Sequence, residues 1–356
     1  VNLFGKIFGG SAGRAAPAPQ LKLEALEDRF LMSATAAITW QKVVGGSYPN
    51  FQYQTTHDFF AIDYSTGHVV QYEDGVRTDR GDPPGGNVTA LSVGFDYDPH
   101  DPPYLYALTS NGSLWCEELG IWFSLGQGGF TQISAARYNG VYAVTLLGQV
   151  ELIDLSNNTH YLGAPGASRW SLGSALQISA GFDPSRNSFE VFAIGRDHAI
   201  YEQETDIFMQ NSTGWSLVDN QAYFTQISAT LQDEVFALDA NGALYQETEI
   251  RWRYFDFWYG QHLAAYQYGG THAVYWTLST GTDVNGNDEV YVIDQFSNAF
   301  RYSGGTAIFV DSNVKEIAAT EGGWFFDVNY DPNNWGGDPW MFDPNSGWIW
   351  LAGEVA

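Results

Sequence analysis

The feature that most constrains this chain is a hairpin that recurs seven times. Each copy has a short apolar or aromatic run, a turn rich in Asp, Asn or Gly, and a second alternating apolar run. The copies start at Phe59, Leu105, Val141, Val191, Val235, Val290 and Pro339. Their second residues fall at 60, 106, 142, 192, 236, 291 and 340, a mean spacing of about 47, which suits four-stranded repeats arranged in a ring. In the clearest copy, Val235 to Leu238 and Ala243 to Tyr245 are strands joined through Asn241-Gly242, a pair suited to a turn with positive φ.

A second element precedes several hairpins: Gln132-Ile133-Ser134-Ala135, Gln177-Ile178-Ser179-Ala180, Gln226-Ile227-Ser228-Ala229 and Glu316-Ile317-Ala318-Ala319. Its small Ser and Ala residues suit an innermost strand, where repeats converge. A lone four-stranded unit leaves both faces bare, whereas a closed ring of units covers faces and edges together. The expected fold is therefore all-β: a single β-propeller over residues 37–356, with seven four-stranded blades and six as the alternative count. Aromatics at 16% of the chain belong mainly between blades. The Ile38-Thr39-Trp40 run is a candidate strand for closing the last blade.

Charge narrows the partners. With 41 acidic and 15 basic residues the net charge is −26, which repels phosphate backbones and anionic membranes. A glycan, a protein or a cation remains compatible, and no nucleic acid is expected. No stretch of 18 apolar residues occurs, so no membrane span is expected. Cys116 is the one cysteine, which rules out an intrachain disulfide and a thiolate metal cluster.

Residues 1–36 read as a flexible segment outside the repeats. Within it, residues 23–34 carry Leu-Glu-x-Leu-Glu-Asp-Arg followed by Leu31, Ser33 and Ala34. This resembles the LEPR/LEDR segment of exported planctomycete proteins, and the resemblance implies export to the cell surface or secretion. The stretch Gln177 to Asp183, with Glu190-Val191-Phe192-Ala193-Ile194-Gly195 and Asp197 to Tyr201, is similar to repeats of tectonin-like and PLL-type lectins. That resemblance implies a six- or seven-bladed propeller that binds carbohydrate between blades. Where those lectin repeats continue with basic and tryptophan-rich residues, this chain has Glu202-Gln203-Glu204-Thr205-Asp206.

Catalytic signatures are missing. The seven histidines show no zinc-site spacing, and no nucleophile elbow, phosphate loop or dinucleotide fingerprint is present. Two loops carry binding chemistry. Asp283, Asn285, Asn287 and Glu289 place oxygen ligands at alternate positions, as in the early part of a calcium loop, and a turn is the competing reading. Arg251, Trp252, Arg253, Tyr254 and Trp258 concentrate rings and cations in an acidic body, as a ligand or partner strip would. The functional expectation is an exported, non-enzymatic binding protein, lectin-like in its carbohydrate preference. A glycan hydrolase and a surface structural subunit are the alternatives.

Overall fold

The computed structural model describes residues 43–351, apart from 50–54, 95–103, 136–139, 167–173, 184–187, 207–213, 231–233, 248–262, 266–273, 331–336 and a few isolated loop positions. The described residues form seven four-stranded antiparallel sheets, each with its strands in simple chain order. Blades 1 to 7 occupy residues 43–81, 88–126, 130–163, 175–219, 224–265, 275–311 and 314–350. Each blade's first strand contacts the first strands of its two neighbours, and blade 1 meets blade 7, so the ring closes on itself. Blade 7 has four strands of its own, ending at Gly347–Trp350. The Ile38-Thr39-Trp40 run lies outside the described residues.

Among the described residues there is no single core. Seven apolar clusters lie in the seven seams, each around the second residue of a repeat. Phe60, Tyr106, Tyr142, Phe192, Phe236 and Tyr291 hold six of them. The seventh is Phe326, which with Val328 and Met341 packs on Phe59, Ala61 and Tyr72 of blade 1. Phe59 and Phe326 stack with ring centroids 5.3 Å apart. Each such aromatic is worth about 2–3 kcal/mol in removed surface.

Phe326 corrects the repeat register at the last copy. The hairpin from Pro339 joins the third and fourth strands of blade 7, not the second and third as in the other six. The true second strand is Phe325–Tyr330. Asp327 breaks its apolar run, while Asp343 accepts the Asn345 N–H at 2.8 Å and so imitates the expected turn one strand further out.

The Gln-Ile-Ser-Ala element is an innermost strand, as its small residues imply, and its polar side chains bind the next blade. Inner strands skip one residue near their start, as between Ala175 and Gln177 or between Phe224 and Gln226. Such a bulge frees backbone groups from the ladder. Gln132 meets them in blade 4: its Nε2 donates to the Leu176 carbonyl at 2.6 Å, and its Oε1 accepts the Ile178 N–H at 3.2 Å. Gln177 Oε1 accepts the Ile227 N–H at 3.0 Å, and Gln226 donates to the Trp276 carbonyl. Serines add a second rung. Ser92, Ser134, Ser179 and Ser279 each accept the N–H of an alanine in the following blade, at 2.8, 2.8, 2.9 and 3.0 Å.

The hairpin tips also reach across the seams. The N–H groups of Phe130, Ala175, Phe224, Tyr275 and Val314 donate to carbonyls of Gly112, Gly148, His198, Gly242 and Ser297 in the preceding blade. Those five acceptors all have positive φ. At Gly242 an added Cβ would stand 2.6 Å from the Tyr275 nitrogen, so approach and φ both require glycine.

Replacing Gln132 by Ala strands two backbone groups in the seam between blades 3 and 4. At about 1–3 kcal/mol for each unsatisfied group, equilibrium urea unfolding should show a loss of about 2 kcal/mol or more. A loss near zero would mean that the inner belt does not hold the blades.

Candidate functional site

The Arg251, Trp252, Arg253, Tyr254 and Trp258 strip lies outside the described residues. The Asp283 loop is described. Asp283 Oδ1 accepts the N–H groups of Asn285 and Asn287 at 2.7 and 2.8 Å, and Oδ2 accepts Asn287 Nδ2 at 2.8 Å. Asp294 is bonded in the same way by Phe296 and Asn298 at the tip of the next hairpin. Glu289 is engaged elsewhere. It is 1% exposed, accepts the Tyr291 hydroxyl at 2.9 Å and lies 3.5 Å from Arg301. The structure thus gathers Asp283, Asn285 and Asn287 into one turn and engages Glu289 with Tyr291 and Arg301. Cys116 is buried, and burial pushes its thiol well above the ordinary range, so it is no nucleophile.

Beside the apolar seams runs a row of acids. Asp58, Glu190, Glu234 and Glu289 each stand just ahead of the apolar run of a blade's second strand, two residues before the second residue of the repeat. Gln246 Nε2 donates to Glu234 at 2.6 Å. Asp288 stands beside Glu234; burial first, and the Glu234 charge second, push its carboxyl up to about 7. The recurring acid ahead of Val-Phe-Ala was visible in the sequence, but its burial was not.

A large aromatic face that continues to the surface belongs to blade 7. Strand alternation puts Phe325 and Asp327, Trp340 and Phe342, and Trp348 and Trp350 on one side of this blade. Asp327 pairs with Trp340, which pairs with Trp350; Phe325 pairs with Phe342, which pairs with Trp348. The Phe325 and Phe342 rings stack at 4.9 Å, and Trp348 meets both edge-on at 5.2 and 5.4 Å. Phe325 packs on Tyr291 at 4.9 Å, so this side faces blade 6. At the outer end Trp348 is 38% exposed and Trp350 57% exposed. Asp311, on the outer strand of blade 6, accepts Asn329 Nδ2 at 3.2 Å across the seam.

Asp327 sits at the inner end of that face. Its slot is Ala61, Ala107, Ala143, Ala193, Ala237 or Val292 in the other blades, all wholly buried. Asp327 is also wholly buried, and neither carboxyl oxygen has a hydrogen-bond partner among the described residues. Burial, and then the charge of Asp311, push its carboxyl up to about 8.

No protein-family model matches the chain, and no curated protein matches it. Solved structures do. The β-propeller domain of Cps50 (Swd1) from Myceliophteria thermophila is 11% identical with a TM-score of 0.57, over 81% of this chain and 94% of that one. BBS1N, in complex with ARL6DN, is 8% identical with a TM-score of 0.55, over 82% and 89%. YCF48 bound to D1 peptide is 12% identical with a TM-score of 0.52, over 83% and 94%. At such identities the likeness concerns the fold, and the fold is a seven-bladed β-propeller. Among the described residues no helix is long and apolar enough to cross a membrane.

Asp327 has a pH signature. Its folded pKa lies above the 3.8 of the free side chain, so the fold opposes its ionisation. The stability this confers is full below about pH 4 and is lost up to about pH 8, at up to about 1.4 kcal/mol per pH unit. Asp327→Ala should therefore be more stable than the parent, with a gap that is wider at pH 8.5 than at pH 5. Parallel curves for the two proteins in pH-resolved denaturation would contradict this assignment.

Proposed function

We propose that this chain is an exported, non-enzymatic binding propeller that takes a carbohydrate on the tryptophan face at the outer end of the seam between blades 6 and 7. The observation that carries the reading is the exposure of Trp348 and Trp350 on the side of blade 7 from which Asn329 reaches Asp311 of blade 6. Folding leaves two large rings wet that could have been covered, and exposed aromatics of this kind mark contact surfaces. A ring face stacks on the apolar face of a sugar, while a carboxylate and an amide accept and donate hydrogen bonds to its hydroxyls. The resemblance to tectonin-like and PLL-type repeats supports a sugar as the ligand. The Leu-Glu-x-Leu-Glu-Asp-Arg segment in residues 23–34 supports export. A protein partner is the second reading, favoured by YCF48 and BBS1N, two similar propellers solved with a bound peptide and a bound protein.

Screening the full chain on a glycan array tests this. Binding to at least one glycan is expected, with a loss of about tenfold or more in Trp350→Ala, the order of a stacking contact worth about 1–3 kcal/mol. Trp350 is mostly exposed, so the variant should fold. Release of sugar from a bound glycan would point to a hydrolase. No glycan binding would sink the lectin reading and leave the protein partner.

A further inference from the structure

One slot of the ring is filled against the pattern of the other six. Where the second strand of a blade faces the blade before it, Ala61, Ala107, Ala143, Ala193, Ala237 and Val292 stand wholly buried, and in blade 7 that place belongs to Asp327. The ladder neighbours of Asp327 are Ile317 on the inner strand and Trp340 on the third. Ile293 and Ala299 of blade 6 join Ile317 and Phe325 in the apolar cluster of this seam. Neither isoleucine nor alanine carries a donor. Asp327 is 0% exposed, and neither of its oxygens has a hydrogen-bond partner among the described residues. A carboxylate so placed is stable only when a proton or another positive charge comes with it.

The polar groups beside it offer oxygen as well. Asn329 follows two residues later, on the same side of the strand. Its Nδ2 donates to Asp311 Oδ2 at 3.2 Å, across the seam on the outer strand of blade 6. That bond fixes the orientation of the amide, because a carboxylate accepts from its nitrogen and not from its oxygen. Asn329 Oδ1 is buried, and it too has no hydrogen-bond partner among the described residues. Asp311 pairs with Ala299, which places it on the side of blade 6 that looks on Asp327. Its Oδ1 accepts the Ser312 N–H at 2.7 Å, and its charge bears on Asp327. Arg301, on the same side of blade 6, is engaged by Glu289 at 3.5 Å. Two carboxylates and an amide oxygen thus share one seam, three of their oxygen atoms shut away from water.

We propose that Asp327, Asn329 and Asp311 hold a calcium ion that bridges blades 6 and 7 at the inner end of the tryptophan face. Asp327 binds through one oxygen or both, Asn329 through Oδ1 and Asp311 through its carboxylate, with water completing the shell. The ion answers both negative charges at once, which a single proton on Asp327 does not. Calcium accepts six to eight oxygens in irregular geometry and takes carboxylates and amide carbonyls together. Magnesium demands a tight octahedron and keeps its waters, so calcium is favoured. Asp311 is half-buried on an outer strand, which gives the ion a path from solvent. This site is distinct from the Asp283 turn, whose carboxylate is taken up by its own amides. It does not rest on the glycan reading, since calcium is titrated without sugar and either result can stand without the other.

Calorimetric titration of calcium into the EDTA-stripped full chain tests the site, together with thermal unfolding with and without millimolar calcium or magnesium. Calcium should bind and raise Tm by several degrees, and magnesium by less, since an ion bound only to the folded state stabilises it. Asp327→Ala, which gives blade 7 the residue most other blades carry, should be at least as stable as the stripped parent and should not respond to calcium. Asp311→Asn should lose most of the rise. Asp283→Asn should keep the parent response. The proposal is overturned if calcium neither binds nor shifts Tm in the parent, which would leave Asp327 holding a proton instead. It is also overturned if the shift survives undiminished in Asp327→Ala or Asp311→Asn, or if Asp283→Asn abolishes it.

Discussion

The ring depends on side-chain amides and hydroxyls that cross between inner strands. Seven blades converge at the centre, where small residues fit and where six of the seven inner strands bulge. A bulge exposes an N–H and a C=O that no strand of the same blade can meet. A glutamine carries one donor and one acceptor at the right separation to meet both. Gln132 meets both in blade 4, Gln177 accepts the Ile227 N–H of blade 5, Gln226 donates to the Trp276 carbonyl of blade 6, and serines at 92, 134, 179 and 279 add a rung each. Without such partners the buried backbone groups would cost more than the convergence gains, and the apolar seams outside could not come together.

Outside that belt, stability is divided among seven seams rather than held in one core. Each seam takes one large ring from the second strand of a blade and a small residue from the next blade facing it, such as Phe192 with Ala237 or Tyr142 with Ala193. The ring closes by the same packing, with Phe326 against Phe59 and Tyr72. No strand has to be borrowed from the start of the chain. Blade 7 departs from the rule: Asp327 takes the small-residue slot, and the same side of the blade ends in wet tryptophans. This seam thus holds, among the described residues, an unpartnered buried carboxyl at one end and exposed rings at the other.

Acids are treated according to what the neighbouring strand provides. Glu289 keeps Arg301 and Tyr291, and Glu234 keeps Gln246. The repeat therefore acts as an internal control: the same backbone position with a cation and with an amide. The net charge of −26 is not spread evenly over a surface, since part of it is folded into the seams.

Much of the fold was legible in the sequence because its information is local. The period-two pattern, the Asp and Gly turns and the small residues of Gln-Ile-Ser-Ala each act within a few residues, so the hairpins, the innermost strand and the count of seven followed from reading along the chain. The last blade was misread by one strand, because Asp343 and Gly347 make a turn as good as the true one while Asp327 hides the second strand. The site was much less legible. Nothing local says that Gln132 bonds to Leu176, that Trp348 and Trp350 stand together at the seam with blade 6, or that Asp311, Asp327 and Asn329 share that seam. Alternation decides which residues share a face, but register decides which stand together on it, and only closure of the ring decides what that face looks upon.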